Sequence, residues 1–338
     1  MIVASRTGHI VLALCAALMA CLPFAVGYHE TPFGPVEVST YHLQLASKAL
    51  VWAMFALSYQ LLVGGVGLVS LGHAAFFGVG AYAVYLLPAG VSVLVTLPVA
   101  AALAAVAAVP VGAMSLRTKG FFFLMVTLAF GQMLYFLFHD TPLGGGKDGV
   151  FVTRPALEVF GAAIEVRRRD WPRVMLWLNL GLLAAMYAAL VALMRTSFGA
   201  ALQGIRANEE RMRALGYDTT RLKFAAFVGA GALAGVSGHM WAMNEAFVNP
   251  ELLSWHLTAQ ALLMLLLGGI GALHGPILGA LAYVGLEEVA TLVTERQRLV
   301  QGLVMLAVVL LLPKGLASLR LRAARRRVPV AETREATP

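Results

Sequence analysis

Charge is what this sequence is short of. Lys, Arg, Asp and Glu together make 12% of its 338 residues, against roughly 25% in an ordinary soluble domain. With 60% of residues hydrophobic, a soluble fold would lack the polar groups to cover its outside. Cysteine is nearly absent as well. Cys15 and Cys21 share one apolar run, which gives neither a disulfide framework nor a metal-ligand spacing. Nucleotide motifs are missing too. Gly144–Gly149, GGGKDG, has no Ser or Thr after its lysine and the wrong glycine spacing for a phosphate loop, so ATP-driven work would need a partner. The Gly-rich stretch Leu62–Tyr82 has no strand before it and no acidic residue after it, which excludes a dinucleotide fingerprint. Few charges fall deep inside the apolar runs, which argues against a proton-coupled secondary transporter.

What the sequence has is length in apolar runs. Runs of about 18 residues or more, each able to cross a bilayer as a helix, recur along the chain. They fall near 10–27, 43–63, 68–87, 91–114, 120–138, 173–194, 222–243, 258–273, 276–293 and 299–312. The fold expected is an all-α polytopic membrane protein of about ten transmembrane helices. Residues 1–42 would be a first span and an external loop, 43–316 the core, and 317–338 a basic, disordered tail. Leu18-Met19-Ala20-Cys21 resembles a lipoprotein cleavage site, but a simple first span explains the run better.

The net charge of +8 sits in short loops and the tail, a distribution that fits anionic lipid and membrane orientation and not a nucleic-acid groove. With both termini inside, 16 of the 25 Lys and Arg are cytoplasmic, including the six from Arg195 to Lys223. The loop 139–172 would then be external although it holds Lys147, Arg154, Arg167, Arg168 and Arg169; five acids share it, and long translocated loops escape the positive-inside rule.

Three stretches carry candidate residues. In 62–82, Gly64, Gly65, Gly67 and Gly72 would allow close helix packing or a helix break lining a cavity, with Ser70 and His73 as polar groups at that depth. Close packing, with His73 bonded to a neighbouring helix, is the plainer of the two readings. In the external loop, Gly145, Gly146 and Asp148 read as a flexible turn before a ligand contact. The third stretch is Ser197–Arg221, a polar island between two spans. Asn208 is a good N-cap, Glu209 and Glu210 suit a helix's first turn, and Gly216 is a good stop. A short helix near 209–215 is expected there, either on lipid headgroups or gripped by a partner. Asp218, Thr219 or Thr220 would cap the helix that follows. Gly235-Val236-Ser237-Gly238 matches the GxSG pattern of rhomboid-like intramembrane proteases, with His73 or His274 as a conceivable base. Small-residue packing explains those four residues more simply. Lys48, Glu287 and Glu288 are expected near an interface.

Taken together, SLGHAAFFGVGAY (70–82), KGFFFLMVTLAFGQ (119–132), GGGKDGV (144–150), FGAALQGIRANEERMRALGYDTTRLKFAAFVGAGALAGVSG (198–238), LLLGGIGALHGPILGA (265–280) and LPKGL (312–316) resemble, in order and spacing, the LivM-type permease subunits of bacterial ABC importers for branched-chain amino acids. The likeness covers roughly 45–316. It implies that 195–223 is a coupling loop for a cytoplasmic ATPase, with Arg206, Asn208, Glu209, Glu210, Ala214, Leu215 and Gly216 as contact candidates. Glu210 and Gly216 keep the acid-to-glycine spacing of the importer pattern EAAxxxG, while Arg211 and Met212 replace its alanines. The resemblance places Thr127 and Gln132 with the glycines as candidates for the translocation path. It further implies two ATPase subunits that bind ATP and Mg, a second homologous permease of the LivH type, an extracytoplasmic binding protein and a bacterial inner membrane. The chain itself would hold no cofactor or metal and perform no bond chemistry. Gln132 and His274 depart from the family's frequent Glu and Trp, which leaves urea or short amides as alternative substrates.

Overall fold

The computed structural model describes residues 34–293 apart from Ala89 and positions 156–157, 160–161, 164–166 and 168, together with 15–17, 19–24 and 27–31 before them and Arg296, Leu299, Gly302, Leu303, Leu306, Gly315 and Leu316 after them. The expected last span falls largely and the tail wholly outside the described residues; of the expected first span, 15–17 and 19–21, which include three residues of the possible cleavage site, are helical and run into a 3-10 turn at Leu22–Phe24.

Among the described residues, five helices are long and apolar enough to cross a membrane. They are α1 (Thr40–Gln60, continued as a π turn over Leu61–Val66), α3 (Val93–Ser115), α4 (Phe121–Asp140), α5 (Trp171–Arg195) and α8 (Thr219–Glu245). Between them lie α2 (His73–Leu86), the surface helices α6 (Ser197–Ala207) and α7 (Glu209–Ala214), and after them α9 (Trp255–Gly268) and α10 (Gly275–Val293). A hairpin, β1 (Gly27–Thr31) with β2 (Gly34–Val38), occupies the expected polar loop before α1. In the 139–172 loop, β3 (Val150–Phe151) precedes a hairpin of β4 (Glu158–Val159) with β5 (Ala162–Ala163), and β3 pairs with β6 (Phe247–Val248) beyond α8.

Two expected spans are corrected. The segment 68–87 is helical only from His73, and 258–273 is replaced by a helix that ends at Gly268. Both α2 and α9 have 14 residues, about 21 Å of helix against roughly 30 Å of hydrocarbon. Glycine lets the backbone leave the helix beside each of them: Gly67, which ends the π turn of α1 six residues before α2 starts, has φ +84°, and Gly269, the C-cap of α9, φ +104°.

The core forms around α1, which is buried along the whole of an 18-residue window, whereas only 22% of the corresponding window of α4 is buried. A helix apolar all round belongs inside a membrane protein. The outward faces of α3 and α4 stay apolar and exposed, with Val106, Phe121, Phe122 and Met133 among them, as expected of surface facing lipid. Glycines and alanines set the α2–α8–α3 packing. A Cβ on Gly80 would strike the backbone of Gly235, one on Gly238 the Phe77 carbonyl, and one on Gly235 the Ala104 side chain. Ser237 is fully buried in this seam and donates to the Leu233 carbonyl at 3.0 Å. His73 is bonded to Ser58 instead of Ser237, so the protease pair built on His73 does not form. Lys48 and Glu287 pair across α1 and α10 at 3.7 Å, and Tyr41 donates to Glu288 at 2.7 Å. These charges answer one another instead of marking an ion path.

Candidate coupling site and helix break

The break begins where α1 slackens into its π turn and the chain reverses at Gly67. Buried backbone in a membrane has no water to bond, so each group freed by the break needs a protein partner. Side chains from four helices provide them. Tyr59 Oη donates to the Ser70 carbonyl at 2.9 Å, and the Leu71 amide donates to Thr127 Oγ1 at 3.2 Å. The Ala74 amide, in the first turn of α2, donates to Thr258 Oγ1 of α9 at 2.9 Å. Gln60 Nε2 donates to the Ile270 carbonyl at 2.8 Å and ties the break to the α9–α10 turn. Finally, Arg206 of α6 donates to the Gly64 carbonyl.

The sequence candidates in this region are therefore brought together, but as a packed node. Ser70, His73 and Thr127 are fully buried, and the His73 ring stacks between Phe55 and Tyr59, with centroids 5.6 and 5.0 Å away. Gly72 lies so close to α4 that a Cβ would run into the Thr127 carbonyl. Gly65 faces Met194, and Gln132 sits half-buried one turn beyond Thr127. Gly67 alone of the break glycines reaches a cleft, of about 250 Å³, with Lys119 and Gly120 on one side and Arg206, Glu209 and Lys223 on the other. That cleft puts the Arg117/Lys119 loop and the 195–223 segment at one end of the molecule, as the charge distribution requires.

The polar island holds two helices where one was expected. Thr196 Oγ1 accepts from the Gly199 amide and starts α6, whose Ala201, Leu202 and Ile205 pack inward. Asn208 then breaks the helix and caps the next one, its Oδ1 accepting from the Arg211 amide at 2.9 Å. Met212 folds back over Gly204, so α7 is pinned on α6. Gly216 takes φ +88° and ends the segment, and Asp218 caps α8 by accepting from the Arg221 amide at 3.1 Å.

The two adjacent glutamates part company. Glu209 turns inward, with its carboxylate 2.5 Å from Lys223 Nζ and 2.7 Å from Arg213 Nη2. Thr219 Oγ1 donates to it as well at 3.2 Å, and Arg213 Nε closes the ring by donating to Thr219 at 2.9 Å. Partial burial pushes the Glu209 pKa up, but the Lys223 and Arg213 charges and the Thr219 hydroxyl outweigh it and leave the carboxyl below its ordinary value. Glu210 points outward and is exposed, as are Ala214, Leu215, Gly216 and Tyr217. Leu215 is 67% exposed on a surface otherwise rich in charge. Lys223 and Thr219, the partners that fix Glu209, were not singled out for it in the sequence; their spacing of ten or more residues only becomes a contact once α8 starts.

At the opposite end, the external-loop candidates form a tight turn. Gly145, Gly146 and Gly149 all have positive φ, between 72° and 73°, and Gly149 packs against the Val248 carbonyl next to the β3–β6 pair. Asp148 lies in the same turn. Sequence reasoning did not single out the polar cluster nearby, in which Asn179 Nδ2 donates to Ser47 Oγ at 2.7 Å and Ser47 Oγ to Asn244 Oδ1 at 3.2 Å. Asn179 alone of the three stands isolated in an apolar run; Ser47 is followed by Lys48 and Asn244 by Glu245, which hid them among interface residues.

Comparison with known proteins follows this geometry. The chain is 29% identical over 319 residues to the high-affinity branched-chain amino acid transport system permease protein LivM of Salmonella typhimurium, covering 88% of this chain and 74% of that one. The Escherichia coli protein of the same name matches to the same extent. A probable branched-chain amino acid transport permease protein LivM of Methanocaldococcus jannaschii is 34% identical over 122 residues, a third of each chain (34% and 33%). No solved structure matches. The pattern of the family described as branched-chain amino acid transport system / permease component matches residues 41–309. The break, the half-helices and the braced segment 195–223 all lie inside that match: the chain belongs to this family, and it is a multi-pass membrane permease subunit, not an enzyme.

Proposed function

We propose that this chain is one permease of an ATP-driven importer for branched-chain amino acids in a bacterial inner membrane, and that α6 and α7 receive the stroke of a cytoplasmic ATPase. The observation that carries the reading is the division of labour between Glu209 and Glu210. Glu209 holds α7 to the start of α8, while Glu210, Leu215 and Tyr217 stand exposed beside it. A rigid element that offers one acid and two apolar side chains suits docking in a groove, since a desolvated apolar anchor gives affinity and a charge gives orientation. Arg206 then links α6 to the Gly64 carbonyl, so a displacement of the segment bears directly on the end of α1.

The assembly this reading calls for has two ATPase subunits holding ATP and Mg, a second permease of similar fold and an extracytoplasmic binding protein, with both termini of this chain cytoplasmic. This chain contributes no cofactor. Its work is differential: the ATP-bound and ATP-free ATPase pairs hold α7 in two positions, and only that difference shifts the permease between inward and outward openings. Co-purification followed by reconstitution tests the proposal. A cytoplasmic ATPase is expected to co-purify with the chain, and the reconstituted complex is expected to accumulate labelled leucine in preference to labelled urea when ATP is supplied. Full uptake by this chain alone, without ATP, overturns it.

A further inference from the structure

Beside Gly67 lies the cleft of about 250 Å³, walled on one side by Lys119 and Gly120 and on the other by Arg206, Glu209 and Lys223. Its walls carry three cations and one acid. The acid is already answered twice, by Lys223 and by Arg213 outside the cleft. Lys119 is exposed and makes no hydrogen bond or ion pair among the described residues. Arg206, exposed as well, donates one N–H to the Gly64 carbonyl. That acceptor is uncharged, so the guanidinium keeps its charge and its other donors. Cations on facing walls repel one another, and a cleft with an excess of one sign gathers the opposite one. The cleft is therefore a place for an anion.

The surroundings of the cleft indicate what carries that anion. Its rim at Gly120 runs straight into Phe121 and Phe122, 68% and 71% exposed, and Met114 at the end of α3 is 55% exposed. These residues belong to spans whose outward faces stay bare and apolar, surface that suits acyl chains. The bare face begins two residues beyond Lys119. A lipid lying along Phe121 and Phe122 thus has its headgroup at the level of Lys119. Basic pockets at the membrane ends of helices attract anionic headgroups in this way. A soluble anion would meet the same charges but leave the aromatic surface unused.

We propose that this cleft binds the phosphate of an anionic phospholipid. Lys119 and Arg206 meet the phosphate from opposite walls, and the acyl chains lie on Phe121 and Phe122. Inorganic phosphate offers the same charged group without the chains. Bound there, the lipid joins the α3–α4 turn to Arg206, the residue that already holds α6 to the end of α1. The segment 195–223 is then steadied by the membrane as well as by its own caps. The site requires only that the chain is a membrane subunit, so it is independent of the substrate and of the ATPase.

The test is native mass spectrometry of the full chain, purified in detergent and titrated with dioleoylphosphatidylglycerol or dioleoylphosphatidylcholine. The first phosphatidylglycerol is expected to bind about tenfold more tightly than the first phosphatidylcholine, and millimolar inorganic phosphate is expected not to displace it. Lys119→Gln breaks no hydrogen bond or ion pair among the described residues. It is expected to weaken the first phosphatidylglycerol about fivefold, the factor for one basic side chain at an anionic surface. Its unchanged phosphatidylcholine binding would show that the fold is intact. Arg221→Gln removes an equal charge from a side chain that is 88% exposed and outside the cleft, and is expected to leave both lipids unaffected. Equal affinity for the two lipids overturns the site, as does unchanged phosphatidylglycerol binding in Lys119→Gln or an equal loss in Arg221→Gln, the mark of diffuse surface charge. Displacement by inorganic phosphate overturns the lipid assignment and gives the cleft to soluble phosphate.

Discussion

The unwound stretch 61–72 and the segment 195–223 both leave the regular helix, yet one is locked in the core and the other stands largely in water. In the first, freed backbone groups end on Tyr59, Thr127, Thr258 and Arg206, from four different helices, and Gln60 beside Tyr59 ties the break to the α9–α10 turn. In the second, capping residues do the work locally: Thr196, Asn208, Gly216 and Asp218 each bond or turn within a few residues. The difference teaches what each can do. A buried node held from many sides moves only with its neighbours. A capped surface helix can move as a unit and carry force, and Arg206 is where the two meet.

The sharpest way to break the comparison is to overfill the buried node. Gly72→Val places branched carbon where the Thr127 carbonyl already sits, and backbone cannot yield as a flexible side chain would. The expected cost is about 3 kcal/mol or more, enough to remove folded protein from a monodisperse fraction on size-exclusion chromatography. Gly216→Ala, at a φ of +88° but with open space around it, is expected to cost only about 1 kcal/mol and to leave the spans folded.

A second change tests the exposed side. Glu210→Arg alters no hydrogen bond or ion pair among the described residues, so its thermal unfolding midpoint is expected to match the wild type, while ATP-driven uptake in the reconstituted complex falls at least tenfold. If uptake survives, Glu210 is not the docking acid. A third change cuts the link. Arg206→Met keeps the stem but leaves the Gly64 carbonyl without its donor, at a cost of about 1–3 kcal/mol. Uptake per ATP hydrolysed is expected to drop several-fold while the ATPase stays bound, a split that simple misfolding does not produce.

Local rules made much of this legible in the sequence. The apolar runs predict α1, α3, α4, α5 and α8 to within a few residues, and the cap at Asn208 with the stop at Gly216 predicts α7 at Glu209–Ala214. Periodicity failed where apolar character outlasted helix: residues 68–72 and 269–273 continue apolar runs, but glycines, the Thr127 and Thr258 hydroxyls at the first stretch and the Gln60 amide at the second let the backbone leave the helix. The existence of α6 hung on Thr196, a capping residue overshadowed by the stronger signal at Asn208. Distance in sequence hid the rest. Arg206 meets Gly64 across 142 residues and Asn179 meets Ser47 across 132, and no spacing rule reaches that far. The same limit left Glu209 and Glu210 equivalent on paper, because only the fold brings Lys223 under one of them.

The smallest expected effect sharpens that last distinction through pH. The Glu209 carboxyl lies below its ordinary value of 4.5 in the folded chain because Lys223, Arg213 and Thr219 together outweigh its partial burial. A depressed carboxylate stabilises the folded state fully above the unfolded value, and the contribution fades as pH falls through the folded one. The brace therefore holds at neutral pH and is lost in acid as the pH falls through the depressed carboxyl value. Because Glu209 is partly exposed and Arg213 more so, its worth is on the order of 1 kcal/mol or less. Hydrogen exchange of the α7 amides reads this opening directly, as local unfolding. At neutral pH, Glu209→Gln is expected to exchange up to about fivefold faster than the wild type, about 1 kcal/mol of opening free energy, and the two should converge as the pH is lowered past the wild-type carboxyl. Glu210→Gln should track the wild type at every pH, since its carboxylate holds nothing among the described residues. A difference in Glu209→Gln that persists unchanged in acid would mean that the brace acts through packing and not through charge.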